Sequence, residues 1–405
     1  AVWQENFDAS LTDIFEVQTN IATQVAGQLD VVLGTAEQNN LARTPTNDLP
    51  AYEAYLQAKP LRARGLTAHR KERLLLEAVE RDPGFAIAWA ELSFTQTEIF
   101  WYIERTPSRA DFPRRSARRA LDIDPTLPEA RFAMAWYLLW VAEDNDNARR
   151  QVEIGLEKSP TNASLFLARA RVNRRDPDRW AEALTDCRRA VTLDPMSAST
   201  IRMLGMNLLF MRRLDEAAAV LDRSLSISPG YFSAIRNRTM VELARGDLEG
   251  ARAFLRRAIE RVNQGEFIAY IATLDDMYWV LDDQQQDVLL DLGPEYWGGS
   301  RPDRAMSIAH IHYLRGDQET AAKWAEQARE ALAQRLNEFP DDSELNSLMG
   351  VALAYLGQGR MAIELGQKAV RLYETKRTGE YPADTISLIR IYTLVVRYDE
   401  AINLI

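Results

Sequence analysis

Few residues in this chain could carry chemistry by type and spacing. It has three histidines, His69, His310 and His312. His310 and His312 invite a metal pair, but side chains two residues apart on a helix point to different faces. No Cys or carboxylate cluster is spaced to complete such a site, so the histidines read as packing residues. The single cysteine, Cys187, has no histidine near it in sequence and precedes Ala190 by one turn. A buried, inert thiol is expected there. Gly357-Gln-Gly359 does not follow a strand, which makes it a helix–helix turn and not a phosphate loop. No nucleophile–base pair or carboxylate pair stands out. The expectation is a non-catalytic chain that needs no metal or cofactor.

Charge is more informative. From Phe166 to Arg261 there are 18 arginines, no lysine and 12 acidic residues, a net of +6. The whole chain of 405 residues has a net charge of −10, so the remainder carries −16. Val262 to Ser300 holds 8 acidic residues and no Lys or Arg. The overall sign argues against general nucleic-acid binding. The longest apolar run, Phe132 to Ala142, is too short to cross a bilayer, which takes about 20 residues. One cysteine excludes an internal disulfide and leaves the redox compartment open.

The elements that position these groups follow from a repeat. Ala183, Ala190 and Pro195 are spaced by seven and five residues, and Ala217, Ser224 and Pro229 repeat the pattern. Ala148, Gly155 and Pro160 precede them. Small residues seven apart share one helix face and let a neighbouring helix come close. The proline stands just past the last turn, where it cannot continue the helix. Prolines 125, 160, 195 and 229 have steps of 35, 35 and 34. A unit of that length with two helices is a helical hairpin, and a period of about 34 is that of the tetratricopeptide class.

The chain divides accordingly. Residues 1–34 read as a short strand and a helix with Ile14, Val17, Ile21, Val25 and Leu29 on one stripe, closed near Gly34. Residues 35–50 are a polar linker. Residues 51–263 hold six regular hairpins, the second with a long connection over 103–112. Residues 264–300 are a degenerate unit. Residues 301–405 resume the pattern and stop just after the first small position of a second helix, Ala401. An end repeat normally needs a polar cap, so the natural chain is expected to continue.

Over roughly residues 50–405 the pattern resembles the tetratricopeptide (TPR) repeat family, with Gly205 and Gly350 at the tight crossing. The opening stretch, VWQENFD followed by LTDIFEVQTNIATQVAGQL, resembles the last strand and helix of a TolB-like α/β domain. The resemblance implies an all-α, right-handed solenoid of about ten hairpins behind a remnant of an α/β domain. It also implies the C-terminal half of a bacterial signalling protein, such as a class III adenylate or guanylate cyclase, a membrane-bound winged-helix regulator or a Ser/Thr kinase.

Ser199, Arg202 and Met206 stand 4, 7 and 11 residues after Pro195; Ser233, Arg236 and Met240 keep the same offsets from Pro229. Such offsets form one stripe along a helix, extended into the fourth unit by Ser164 and Arg171. In TPR proteins this stripe lines the concave groove. Its arginine position is similar to that of a carboxylate-clamping basic residue in chaperone-tail-binding members. The asparagines that complete that clamp are mostly replaced here by Met206 and Met240, with Asn237 the one candidate, so the chaperone role does not carry over. Arginine and methionine, Met203 included, would suit an acidic protein or peptide with apolar anchors. The plainer alternative makes the methionines core and pairs the arginines with nearby carboxylates. Arg118-Arg119, Arg188-Arg189 and Arg256-Arg257 recur at one second-helix position and read as a solvated outer face. Trp89, Trp101, Trp136 and Trp140 read as packing between hairpins. Tyr296-Trp297 reads as an exposed aromatic loop, either a second contact or a kink. A homodimer scaffold and a small-molecule sensory module remain alternatives to peptide binding.

Overall fold

In the computed structural model, residues 45–61, 63, 67–273, 277–297, 300–376 and 383–404 are described. The strand and helix expected over 1–34 lie outside them. The described residues form an all-α solenoid. Leu49–Ala58 (α1) pairs with Ala68–Arg81 (α2), and Ala86–Tyr102 (α3) with Pro107–Ile123 (α4). Pro128–Trp140 (α5) and Asn145–Lys158 (α6) follow, then Ala163–Arg174 (α7) and Trp180–Leu193 (α8). Ala198–Phe210 (α9) joins Leu214–Ile227 (α10), and Phe232–Ala244 (α11) joins Leu248–Ile259 (α12). The seventh unit has Gln264–Thr273 (α13) and Asp283–Asp291 (α14), interrupted by short 3₁₀ turns at Met277–Val280 and Pro294–Trp297. Arg301–Leu314 (α15) with Gln318–Glu338 (α16), Ser343–Tyr355 (α17) with Gly359–Lys376 (α18), and Ala383–Leu394 (α19) with Tyr398–Ile402 (α20) complete the array.

Two boundaries differ from the sequence expectation. The linker ends two residues early, because Asp48 caps α1 by accepting from the Ala51 amide at 2.7 Å and Pro50 sits in the first turn, where no N–H is needed. The second hairpin has no long connection. Thr106 caps the Arg109 amide and Pro107 opens α4, so only 103–106 link two 17-residue helices. The wide proline spacing there reflects helix length. Pro113 is carried inside α4, and its carbonyl accepts from Ser93 Oγ at 2.8 Å.

Small residues set the hairpin crossings. A Cβ on Gly205 would stand 2.6 Å from Leu221 Cγ; one on Gly350 would meet Ile391 Cδ1 at 2.8 Å and the Ala362 carbonyl at 3.0 Å. The turns repeat as well. Gly246, Gly316 and Gly357 take φ of +80°, +81° and +72°, and Glu143, Arg212 and Val396 take the equivalent left-handed place in their hairpins. First helices of successive hairpins touch one another, as α3 touches α5 and α5 touches α7, while successive second helices stay apart. The row of first helices is therefore the inner, concave side. Among the described residues no helix is long and apolar enough to cross a membrane.

His310 is a packing residue in this array. Its ring stacks on Tyr278 at 4.3 Å, and its Nδ1 lies 2.7 Å from Tyr355 Oη. Burial holds its pKa well below the usual 6.5, with Arg390 pushing the same way.

Two outcomes follow. Gly205→Val should lose about 2 kcal/mol in urea denaturation, since Leu221 is fully buried and has no room to yield; an unchanged midpoint would mean a slack crossing. Because His310 is neutral when folded and takes up a proton on unfolding, its contribution is present above its unfolded pKa and is lost as pH falls. Wild type should lose stability between about pH 7.5 and about pH 5.5, and His310→Phe should show a flatter profile. A variant with the same slope would remove His310 as the cause.

Candidate functional site

The inner face of the basic stretch is built from α5, α7, α9 and α11. Each contributes one exposed turn because its opposite side packs against its own second helix. Ala168 and Ala170 of α7, Ile201 and Leu208 of α9, and Ile235 and Val241 of α11 are all buried. That leaves Arg171, Arg202 and Arg236 half-buried on the other side.

The arginine stripe is continuous with the tryptophans. Arg171 Cζ lies 4.9 Å from the Trp136 ring centre and 5.2 Å from that of Trp140, and Arg175 covers Trp140 at 5.2 Å. Trp140 meets Trp136 at 5.8 Å and stands edge-on to Trp101 at 5.0 Å. Trp136 is fixed by its Nε1, which donates to Glu98 Oε1 at 3.0 Å. Beyond Arg171 the stripe passes to sulfur. Arg171 Nη2 lies 3.5 Å from Met203 Sδ and Arg202 Nη2 lies 2.8 Å from the same atom. Arg202 Nε donates to Tyr231 Oη at 3.1 Å, and Nη1 reaches Met206 Sδ at 3.6 Å. The Arg202 guanidinium also lies 5.7 Å from the Tyr231 ring centre. Among the described residues its hydrogen bonds go to a phenol and two thioethers and not to a carboxylate. Such cation–π and sulfur contacts hold a guanidinium in place without neutralising it.

The other residues of the sequence-derived stripe are placed as follows. Met203 and Met206 are buried and form the floor. Asn237 is buried and accepts from Arg236 Nη2 at 3.2 Å. Met240 is half-buried against the core of the sixth and seventh units. Ser199 is exposed beside Ser197, Ser164 is exposed, and Ser233 Oγ lies 3.1 Å from Tyr270 Oη. The structure thus joins parts of both readings: the methionines are buried, and the cation above them faces the groove. Asn207 Oδ1, Asn237 Nδ2 and Trp140 Nε1 are buried without a hydrogen-bond partner among the described residues. Under the floor, Asn207 Nδ2 lies 3.2 Å from Cys187 Sγ. Burial pushes the Cys187 thiol up to about 12, against the opposing fields of Arg174, Arg171 and Arg202.

One expectation is corrected. Tyr296-Trp297 is not an exposed aromatic loop. Trp297 is buried in the core of the sixth and seventh units, and Tyr296 packs against it. The tail of the degenerate unit folds inward and adds Trp297 to a core that its own Phe267, Ile271, Tyr278 and Leu289 already line. The outer arginines Arg118, Arg119, Arg188, Arg189, Arg256 and Arg257 are all exposed. Sequence reasoning missed Tyr231, and it missed Trp136 and Trp140 as platforms for arginine. The one available signal was the four-residue spacing of the two tryptophans.

No protein-family model matches the chain. "Putative adenylate cyclase 3" of Rhizobium meliloti (strain 1021) is similar, at 28% identity over 144 residues. That match covers 35% of this chain and 24% of that protein's length. Among solved structures, "YrrB: a TPR protein with an unusual peptide-binding site" is similar with a TM-score of 0.31 and 21% identity, over 46% of this chain and 91% of that one. The human IFIT1 dimer with m7Gppp-AAAA is similar with a TM-score of 0.49 and 14% identity, over 88% of this chain and 77% of that one.

The groove floor makes a labelling prediction. In the native protein Cys187 should resist a thiol-reactive disulfide dye at mild alkaline pH and should react at once in urea. Rapid native labelling would show that the floor opens.

Proposed function

We propose that this chain is a non-catalytic binding module whose inner groove takes an acidic protein segment with apolar anchors. The observation that carries the reading is the setting of Arg202. Its guanidinium is oriented by Tyr231, Met203 and Met206, none of which can neutralise it. Because Arg171 and Arg202 both reach Met203 Sδ, at 3.5 and 2.8 Å, their terminal nitrogens are no more than 6.3 Å apart. A carboxylate beside Arg202 would accept charge-assisted hydrogen bonds from it. Preorganisation lowers the ordering cost of binding.

We place the module in a bacterial signalling protein. The TolB-like resemblance over 1–34 and the similarity to "Putative adenylate cyclase 3" support that placement. The chain itself would then be the sensory or partner-binding part. A homodimer scaffold, with the end repeats or the 264–300 unit as the contact, is a second reading.

Fluorescence anisotropy with a labelled peptide of alternating glutamate and leucine tests the groove. Wild type should bind it, more weakly as salt rises. Arg202→Glu/Arg236→Glu, checked for helicity by circular dichroism, should bind at least about tenfold more weakly, the loss of one or more charge-assisted bonds. Equal affinity in both proteins would reduce the stripe to a solvated face. A mass that doubles with concentration and survives high salt would favour the dimer.

A further inference from the structure

Arg105 lies in the short connection between α3 and α4 of the second unit, yet its partners come from far along the chain. Its Nε stands 3.3 Å from Asp342 Oδ2, and its Nη1 stands 3.7 Å from Glu344 Oε2. Those carboxylates open α17 of the ninth unit, seven hairpins on. A third carboxylate, Glu143 of the neighbouring hairpin turn, lies 3.6 Å from Nη2. The guanidinium also lies 4.5 Å from the Trp101 ring centre. We propose that Arg105 is a clasp that closes the solenoid on itself and sets the width of its inner groove.

Four features support a built contact over a chance surface pair. Only 15% of the Arg105 side chain is exposed, and Asp342 is 8% exposed. Asp342 is already held as the cap of α17, accepting from the Leu345 amide at 3.0 Å, so it presents a fixed acceptor. Glu143 keeps a left-handed backbone, φ 55°, at the turn position where three other hairpins use glycine. A non-glycine residue is strained there, and here its side chain is the one that reaches Arg105. The fields of Asp303 and Asp384, on the first helices either side of α17, also reach Glu344. Burial and these fields push the Glu344 carboxyl up to about 7, so the charge that holds the guanidinium comes first from Asp342 and Glu143.

The contact is also connected to the groove. Arg105 covers Trp101, Trp101 stands edge-on to Trp140, and Trp140 carries Arg171 and Arg175. Beside the clasp, the two turns of the array leave a cleft of about 430 Å³ walled by Phe100, Val141, Phe339 and Pro340. Among the described residues no pair of helices packs extensively across this cleft, and the ion pairs of Arg105 bridge it. A closure of that kind can open without unfolding either turn.

The test is a distance measured between the two turns. Spin labels go on Arg118→Cys and Arg360→Cys, whose parent side chains are 74% and 90% exposed on α4 and α18. The native Cys187 is buried and stays unlabelled. Pulsed electron resonance on the whole chain should give one narrow distribution with Arg105 intact. Arg105→Glu, which sets a fourth acid among the three, should shift the mean to a longer distance and broaden it, with helicity by circular dichroism unchanged. Arg105→Lys, which keeps the charge, should stay close to the parent distribution. If Arg105→Glu superposes on the parent while remaining folded, the clasp is refuted. If it unfolds, the comparison moves to Glu344→Lys, whose 63% exposed side chain carries no core; a parent-like distribution there refutes the clasp equally. Neither readout depends on any ligand, so failure of the groove reading leaves this result standing.

Discussion

The array depends on how closely each hairpin can be crossed by its neighbours. A hairpin of two short helices cannot bury its own apolar face, so its stability comes from stacking on the next. That stacking requires small residues at fixed places. At Gly205 even a methyl group would enter the Leu221 side chain, and at Gly350 it would meet a backbone carbonyl. Ala183, Ala190, Ala217, Ala251, Ala321 and Ala328 are buried to within 1% at the corresponding second-helix positions. Close approach on the first-helix side, without matching contact between second helices, bends the row inward. Curvature, and with it the concave groove, is a consequence of where the small residues stand.

The same geometry sets what the arginines touch. On the outer rim they find carboxylates within their own or the next hairpin: Arg213 pairs with Glu216, Arg245 with Asp215 at 2.6 Å, and Arg329 with Glu326 at 2.7 Å. Such exposed pairs add at most about 1 kcal/mol each. On the inner side the first helices also offer aromatic and thioether neighbours. Arg171, Arg175 and Arg202 lie against Trp136, Trp140, Met203 and Tyr231. A planar, weakly hydrated guanidinium suits those surfaces where a lysine ammonium would not.

Local patterns were legible in the sequence; contacts across the array were not. The hairpin period, the small crossing residues and the helix ends are written within single units, because they follow from helical spacing and from proline and glycine backbones. The arginine–methionine stripe was legible for the same reason, being three helices read at equal offsets. Trp136 and Trp140 were legible as packing residues but not as supports for Arg171, since that pairing joins separate hairpins. The loop over 103–112 was misread because the wide spacing of the unit's closing prolines was assigned to the connection, whereas it comes from two 17-residue helices, with Pro107 opening the second and Pro113 accommodated within it. Trp297 was misread because glycine-rich surroundings suggested exposure, whereas the short turn at Pro294–Trp297 folds its ring into the core of the sixth and seventh units. Arg105 carried no signal at all. Its partner Asp342 lies 237 residues on, and only the accumulated curvature of seven hairpins brings them together.

That last point bears on how a solenoid can be controlled. In a linear stack each unit feels only its neighbours, so an event in one groove decays along the array. A contact between the second and ninth units adds a constraint of a different order, because every intervening crossing angle must sum to the closing geometry. Small changes at each crossing then add up at the closure instead of fading. The groove arginines and the closing arginine share one aromatic seam, Trp140 to Trp101. A ligand that shifts α5 against α7 would therefore act on the closing contact through packed rings, and opening that contact would relax the same helices. By linkage the two effects must be equal in free energy. The tryptophans that pack the third hairpin thereby become the element through which groove and closure would influence each other.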